Sequence, residues 1–203
     1  MAISMLEAVN DVLRRIGKQV VASLDTGGGS LASYAEREIA DASTSVQTEG
    51  WSWNTRTSVE KDATAGEYLL STFESDNATI YRAFTPKETD PDVAVQGTKL
   101  VNVTENTTTF SETSLTLTYV YEKSIDNVPE AFTKWIIATA AFRLSRQFYS
   151  QPDKEQVLAA EILDARRRAI RDEIQVAEVN VLDTEQLRQV RGRPRMRNRS
   201  IHG

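Results

Sequence analysis

The sequence predicts an α+β fold: a four-helix bundle with an inserted antiparallel β-rich lobe and an extended basic C-terminal arm. Apolar residues recur at helical spacing in the first and last thirds of the chain. The middle lacks that period and is rich in threonine, serine, asparagine and β-branched residues. Near the C-terminus, arginine alternates with other residue types. We predict that residues 1–50 and 125–179 form the two halves of the bundle, 51–124 the β-rich lobe and 180–203 the arm.

Two helices are predicted before the β-rich lobe. The first covers about residues 3–16 and ends at Gly17, because glycine readily adopts the conformation that closes a helix. Its apolar stripe consists of Ile3, Leu6, Val9, Leu13 and Ile16. The second helix begins at Ser30 or Ser33, both residue types that cap helix N-termini, and ends at Gly50. Each helix therefore has one face to bury against the rest of the bundle.

The β-rich lobe is predicted from four segments in which β-branched and aromatic residues cluster. They read "YLLSTF", "ATIYRAF", "KLVNV" and "SLTLTYVYE". In the last segment, alternation places Leu115, Leu117, Tyr119 and Tyr121 on one face of a strand. The intervening segment "FTPKETDPDVAVQG" is predicted to be an exposed, turn-rich loop.

Two further helices are predicted after the lobe. Pro129 suits the first turn of the third helix, which is apolar on nearly all sides and is therefore expected at the centre of the bundle. Pro152 ends it, and a fourth helix follows from about residue 153 to 179. Four arginines lie on its outer face, namely Arg166, Arg167, Arg168 and Arg171. They form either a solvated face or part of a protein interface.

Two tryptophans, Trp51 and Trp53, stand between the second helix and the lobe in "EGWSWNT". Exposed indole rings can stack a sugar or a base. At the junction between a helix and a strand, tryptophans more often form a hydrophobic contact between two parts of a fold. We therefore predict that Trp51 and Trp53 form a hinge between the bundle and the lobe.

The composition contains few residues suited to catalysis or metal binding. There is no cysteine, and the single histidine is His202, the second-to-last residue. These counts disfavour a histidine triad and a thiolate or histidine-rich metal site. "GGGS" precedes a helix but lacks the lysine and the strand of a phosphate-binding loop. We predict no catalytic residue, no metal site and no cofactor, and hence no enzyme.

Charge is distributed unevenly along the chain. The net charge is −5, yet residues 186–203 hold six arginines and no acid, which leaves −11 on residues 1–185. The six are Arg188, Arg191, Arg193, Arg195, Arg197 and Arg199. The period of two places five of them on one side of an extended strand. Such an arm can dock on nucleic-acid phosphates or on an acidic protein groove, and the residues alone do not separate these partners.

The sequence also bears on localisation. No stretch approaches the ~20 apolar residues of a membrane span. The first residues lack the basic segment and the unbroken apolar run of a signal peptide. We therefore expect a protein of the cytoplasm, or of a particle assembled there, with no membrane span.

Three segments together resemble the tail tubular protein A family, the adaptor or gatekeeper proteins of short-tailed bacteriophages. They read "LEAVNDVLRRIGKQVVASLD", "EGWSWNT" and "VPEAFTKWIIATAAFRLSRQF". Their order and spacing, with a β-rich region between, are similar to those of the family over residues 3–178. The alternating arginines lie outside this resemblance.

The resemblance implies a structural virion protein of the phage tail, assembled in the host cytoplasm. Such adaptors form a dodecameric ring between the portal and the nozzle (tail tubular protein B), and they help to attach tail fibres. The ring surrounds the channel for DNA ejection, through which DNA passes without sequence-specific binding. Under this hypothesis, the six arginines dock on the portal. A nozzle or fibre contact falls on Lys87, Glu88, Asp90 and Asp92.

Two alternative functions remain at this point. One is a nucleic-acid-binding module that uses the arginine-rich tail, and it predicts DNA affinity that falls steeply with salt. The other, less favoured, is a glycan hydrolase that uses paired acids of the β-rich lobe. An adaptor predicts neither property.

Overall fold

A computed structural model describes residues 3–24, 29–74, 78–86, 90–149 and 152–182, with side chains of the last helix described as far as residue 176. Over these ranges the chain is a mixed α/β protein with four α-helices and antiparallel sheets. Residues 183–203, which include the six arginines of the predicted arm, lie outside the described residues, whereas residues 180–182, predicted as the start of the arm, belong to the last helix. Within the described part of the chain, no helix has the length and apolarity needed to cross a bilayer.

The four helices occupy the segments in which the sequence predicts them. They are α1 (Met5–Arg15), α2 (Leu31–Gln47), α3 (Glu130–Phe148) and α4 (Pro152–Leu182). A capping box starts α1, in which Ser4 Oγ accepts from the Glu7 amide at 3.3 Å and Glu7 Oε2 accepts from the Ser4 amide at 2.9 Å. Of the two candidate caps for α2, the structure uses Ser30, whose hydroxyl accepts from the Ser33 amide.

Helix α3 is the centre of the helical part, as its apolar composition predicts. It packs against α1, α2 and α4. Its side chains Phe132, Ile136, Ile137 and Leu144 are almost completely buried. They share one core with the inward faces of the other helices, including Val12, Leu13, Ile39 and Leu158.

The middle of the chain forms two antiparallel sheets. The strands are β1 (Thr55–Asp62), β2 (Ile80–Phe84), β3 (Val93–Gln96), β4 (Lys99–Asn102) and β5 (Ser114–Tyr121). One sheet has the order β1-β5-β2, and β3 and β4 form a separate hairpin. The four residues predicted on one face of the last strand, from Leu115 to Tyr121, all enter a second hydrophobic core together with Tyr68 and Leu100.

One strand prediction and one loop prediction for this region were wrong, and one strand was missed. "YLLSTF" is not a strand: it runs beside β4 only around Tyr68 and Leu70, then turns at Leu70–Thr72, where Thr72 Oγ1 donates to the Leu69 carbonyl at 2.7 Å. Strand β1 was not predicted, because "TRTSVEKD" is mostly polar and lies at a sheet edge with most of its side chains exposed. Strand β3 occupies part of the segment that was predicted to be an exposed loop.

Candidate interaction site

The predicted hinge tryptophans lie immediately after α2, where Ser52–Asn54 forms one turn of 3-10 helix before β1. The Trp51 ring centroid is 4.8 Å from that of Phe132 and 6.1 Å from that of Trp135, both on α3. The Trp53 ring lies 5.2 Å from Phe132. Trp51 Nε1 also donates to the Val46 carbonyl at 2.7 Å. Both indoles are therefore packed on the helical core, next to the first strand of the sheet.

Asn54 joins three chain segments at this junction. Its side chain is fully buried. Oδ1 accepts from the Trp51 amide at 2.8 Å, and Nδ2 donates to the carbonyls of Gln47 at 2.9 Å and Tyr121 at 3.2 Å. One amide group thus connects the end of α2, the 3-10 turn and the end of β5.

Gln47 makes a second buried connection between α2 and the segment after β5. Its Nε2 donates to Ser43 Oγ and to the Lys123 carbonyl, each at 2.8 Å, and its Oε1 accepts from the Lys123 amide at 2.7 Å. A fully buried glutamine is expected to have its polar atoms paired, and both are paired here. Sequence reasoning missed Gln47 and Asn54. The available signal was a glutamine at the end of the second helix's apolar face and an asparagine after two tryptophans.

Gly50 closes α2 in a conformation that favours glycine, with φ of +80°. A Cβ atom at this position would meet the guanidinium of Arg82 and lie 3.0 Å from Val120 Cγ2. The absent side chain therefore lets β2 and β5 approach the end of the helix.

Helix α4 holds the 3-10 turn from the other side. Glu173 Oε1 accepts from the Ser52 amide at 2.6 Å, and its Oε2 accepts from Ser52 Oγ at 3.1 Å. Nearby, the Arg166 guanidinium lies 5.5 Å from the centroid of Trp135. The junction thus contacts α2, α3, α4 and the sheet, an arrangement suited to keeping the helices and the sheet in one orientation.

Only part of the predicted nozzle or fibre contact is described. Lys87 and Glu88 lie outside the described residues. Asp92 is exposed just before β3, and its carbonyl accepts from the Val103 amide at 2.8 Å, while Asp90 is partly buried. The backbone at Asp92 is therefore anchored to the end of β4, with its carboxylate facing solvent.

Acids of the sheet region take part in ion pairs and hydrogen bonds. Glu67 pairs with Lys99 at 2.6 Å, and Glu74 lies 3.3 Å from Arg56 Nε. Glu74 Oε1 also accepts from the Tyr119 hydroxyl at 2.8 Å, and burial raises the pKa of Tyr119 above its ordinary value. The described residues contain no group of three potential metal ligands. Glu67 and Glu74 thus each have a cationic partner within the chain.

Comparison with known protein families shows which family the chain matches. The family described as tail tubular protein matches residues 6–179, a range that runs from α1 to α4 and includes both sheets. No curated protein matches the chain.

Proposed function

Because this chain belongs to the tail tubular protein family, which gives it a structural role in a phage tail, we propose that it is a head-to-tail adaptor. In this proposal, copies form a dodecameric ring that joins the portal to the nozzle and surrounds the DNA ejection channel. The observation that carries the proposal is the family match over residues 6–179, which is most of the chain.

The helix–sheet junction supports a ring subunit with a fixed internal geometry. A subunit that contacts a portal with one part and a nozzle or fibre with another has to keep those parts in register. The buried amides of Gln47 and Asn54 make such a link at low cost, because their polar groups are paired. We propose that the helices act as a bundle, that the sheets form a separate lobe, and that Trp51 and Trp53, predicted as the hinge, form the hydrophobic contact that holds the two in one orientation.

The charge distribution supports a channel that does not hold DNA. Residues 1–185 carry a net charge of −11, and an acidic wall repels phosphates. A protein that neutralised phosphates would instead retard DNA through salt-dependent binding. In the proposal the acidic body faces passing DNA without sequence-specific contacts, and the adaptor has no enzymatic role.

The arginine-rich segment supplies the contact with the portal in this proposal. Its six guanidiniums can each form paired hydrogen bonds with carboxylates. Twelve such arms in one ring would act together, so that a weak contact per arm gives a strong assembly. The nozzle or fibre contact is assigned to the segment with Lys87, Glu88, Asp90 and Asp92, of which Asp92 is exposed.

Cosedimentation with portal rings and with duplex DNA, each over a salt series, tests the proposal. The full chain is expected to sediment with the portal and not with DNA, and removal of residues 187–203 should release it from the portal. A variant with the exposed Arg14 and Arg37 changed to glutamine serves as a charge control, since it keeps the arm and the arginines of α4. Binding to DNA with a steep salt dependence, and none to the portal, would instead support the nucleic-acid-binding alternative.

A further inference from the structure

Helix α4 carries a second apolar stripe on the side away from α3. Its buried stripe, which includes Leu158 and Ala169, packs on α3. The second stripe contains Leu163, Ile170 and Ile174, and the side chains of Leu163 and Ile174 are 55% and 51% exposed. Together with Gln156, Ala160 and Arg167, these three residues recur at alternating steps of four and three, which is the spacing of a coiled-coil seam. We call the residues Gln156, Ala160, Leu163, Arg167, Ile170 and Ile174 the outer seam of α4.

The outer seam has a cationic edge. Arg167 lies within the seam, and Arg171 lies beside it; both are exposed. The other two arginines of this helix have contacts within the chain, since Arg168 pairs with Asp164 at 2.7 Å and Arg166 lies over the Trp135 ring. A surface that fits the outer seam should therefore be apolar and bordered by acids.

A groove of that character lies between the start of α1, α2 and the segment after β5. Its apolar lining is Met5, Ile39, Ala40 and Ile125, and its volume is about 420 Å³. Glu122 and Asp126 contribute carboxylates, and Lys123 is the one cation among the described lining residues. Asp41, the residue after Ala40, adds an exposed acid on the same helix. We call this the α2 groove.

The outer seam and the α2 groove lie on different sides of α3. Helix α2 packs on α3 and α1, whereas α4 packs on α3 and on the 3-10 turn. Helix α3 is buried on nearly all sides, and both α2 and α4 pack on it. Two complementary surfaces on different elements of a subunit permit a head-to-tail contact, which repeats until a ring closes.

We infer that the outer seam of α4 docks in the α2 groove of a second copy of this chain. The inference rests on the proposed ring and names the contact between its subunits. Leu163, Ile170 and Ile174 enter the apolar groove, and Arg167 and Arg171 face Glu122 and Asp126 of the next copy. A parallel pairing of α4 with α4 is disfavoured, because it places Arg167 against the same arginine of the other copy and closes as a dimer.

Thiol crosslinking tests this contact directly, since the chain has no cysteine. We would place one cysteine in the seam (Ile170→Cys) and one in the groove (Ala40→Cys), and add a short bismaleimide with and without portal rings. The chain with both cysteines should give a ladder of covalent multimers, and a mixture of the two single variants should stop at dimers. Each single variant alone should remain uncrosslinked. Dimers from Ile170→Cys alone, or no product from the double variant in either setting, overturn the inference.

Substitutions in the seam give a second readout. Leu163→Ser combined with Ile174→Ser should weaken association between copies about tenfold or more, because two apolar side chains lose their burial. Val157→Ser is the matched control, since Val157 is 59% exposed on the same helix but lies off the seam. All three substitutions are at exposed positions, so unfolding temperatures should stay close to that of the wild type.

The two proposals fail in distinguishable ways. If the wild-type chain does not add to portal rings, the proposed function fails. If the wild type adds as a ring and the seam variant adds with the same cooperativity, only the seam contact is wrong. The two serine changes can also be combined with the two cysteines. If that chain loses portal binding but still forms the covalent ladder, the seam contacts the portal and not a second copy, which also overturns the inference.

Discussion

The guanidinium of Arg82 donates a hydrogen bond from Nη2 to the main-chain oxygen of Glu49 at 2.7 Å, which ties β2 to the turn that ends α2. The guanidinium passes over Gly50, where no side chain obstructs it. Together with the buried amides of Gln47 and Asn54, this bond makes the end of α2 the point at which the sheet is attached to the helices. Four predictions concern the stability of that attachment and of the sheet core.

Gly50→Ala should destabilise the protein by about 1–3 kcal/mol, because the residue has a positive φ and its Cβ would displace Arg82. Gly97→Ala is the matched control, since Gly97 also has a positive φ, of +62°, but has open space at the Cβ position. Urea unfolding followed by circular dichroism measures the free energy of unfolding of both variants. An equal decrease in the two would show that close packing at Gly50 does not contribute to stability.

Asn54→Ala should lower the free energy of unfolding by about 3 kcal/mol, because it removes three hydrogen bonds to buried or half-buried main-chain groups. Asn127→Ala provides the comparison: Asn127 is exposed and donates to Ser124 Oγ at 3.0 Å. Its loss should stay within about 0.5 kcal/mol. Denaturant unfolding measures the free energy of unfolding of both variants. A decrease for Asn54→Ala no larger than that for Asn127→Ala would contradict the role assigned to the junction.

Trp51→Phe should cost about 1–2 kcal/mol more than Trp53→Phe. Both changes replace an indole that packs on Phe132 by the smaller phenyl ring. Of the two indoles, only that of Trp51 has a hydrogen-bond acceptor for Nε1, the Val46 carbonyl. Trp53 Nε1 is buried without an acceptor in the described part of the chain, so its removal relieves an unpaired donor. Thermal unfolding compares the stability of both variants. A lower unfolding temperature for Trp53→Phe than for Trp51→Phe would contradict the stabilising role given to the Trp51 hydrogen bond.

Tyr68 should make stability sensitive to alkaline pH. Burial raises its pKa from 10.0 to about 12, and its hydroxyl donates to the Glu112 carbonyl at 3.1 Å. The folded state therefore holds this proton more tightly than the unfolded state. The resulting stabilisation is fully present below pH 10 and is lost as the pH rises through about 12.

Comparison of the wild type with Tyr68→Phe isolates that contribution. The variant should be about 1 kcal/mol less stable at neutral pH, because it loses one hydrogen bond. Its unfolding free energy should fall less steeply than that of the wild type between pH 10 and 12. Parallel curves for the two proteins over that range would show that the ionisation of Tyr68 is not linked to folding.

The apolar pattern predicted most of the helices and strands. Helices α1, α2 and α4 and strand β5 contain apolar residues at the spacing of their own structure, while α3, β2 and β4 were predicted from their apolar and β-branched content, so local sequence and tertiary burial agree. Strand β1 could not be predicted in this way. Its pairing with β5 is set by neighbours about 60 residues away, and a bulge between Arg56 and Val59 interrupts its alternation.

The junction was predicted only in part. Trp51 and Trp53 stand out in the sequence because tryptophan is rare and the two are adjacent to a helix end. Asn54 and Gln47 do not, since their partners Tyr121 and Lys123 are 67 and 76 residues away in the chain. A polar side chain that pairs with a distant main chain leaves no local pattern.

Native mass spectrometry of portal rings mixed with this chain tests the central claim, the adaptor role, most directly. The full chain should add twelve copies to each portal ring, and the chain without residues 187–203 should add none under the same conditions. That result would confirm a ring docked through the arginine-rich segment. A full chain that stays monomeric beside intact portal rings would contradict the proposed function.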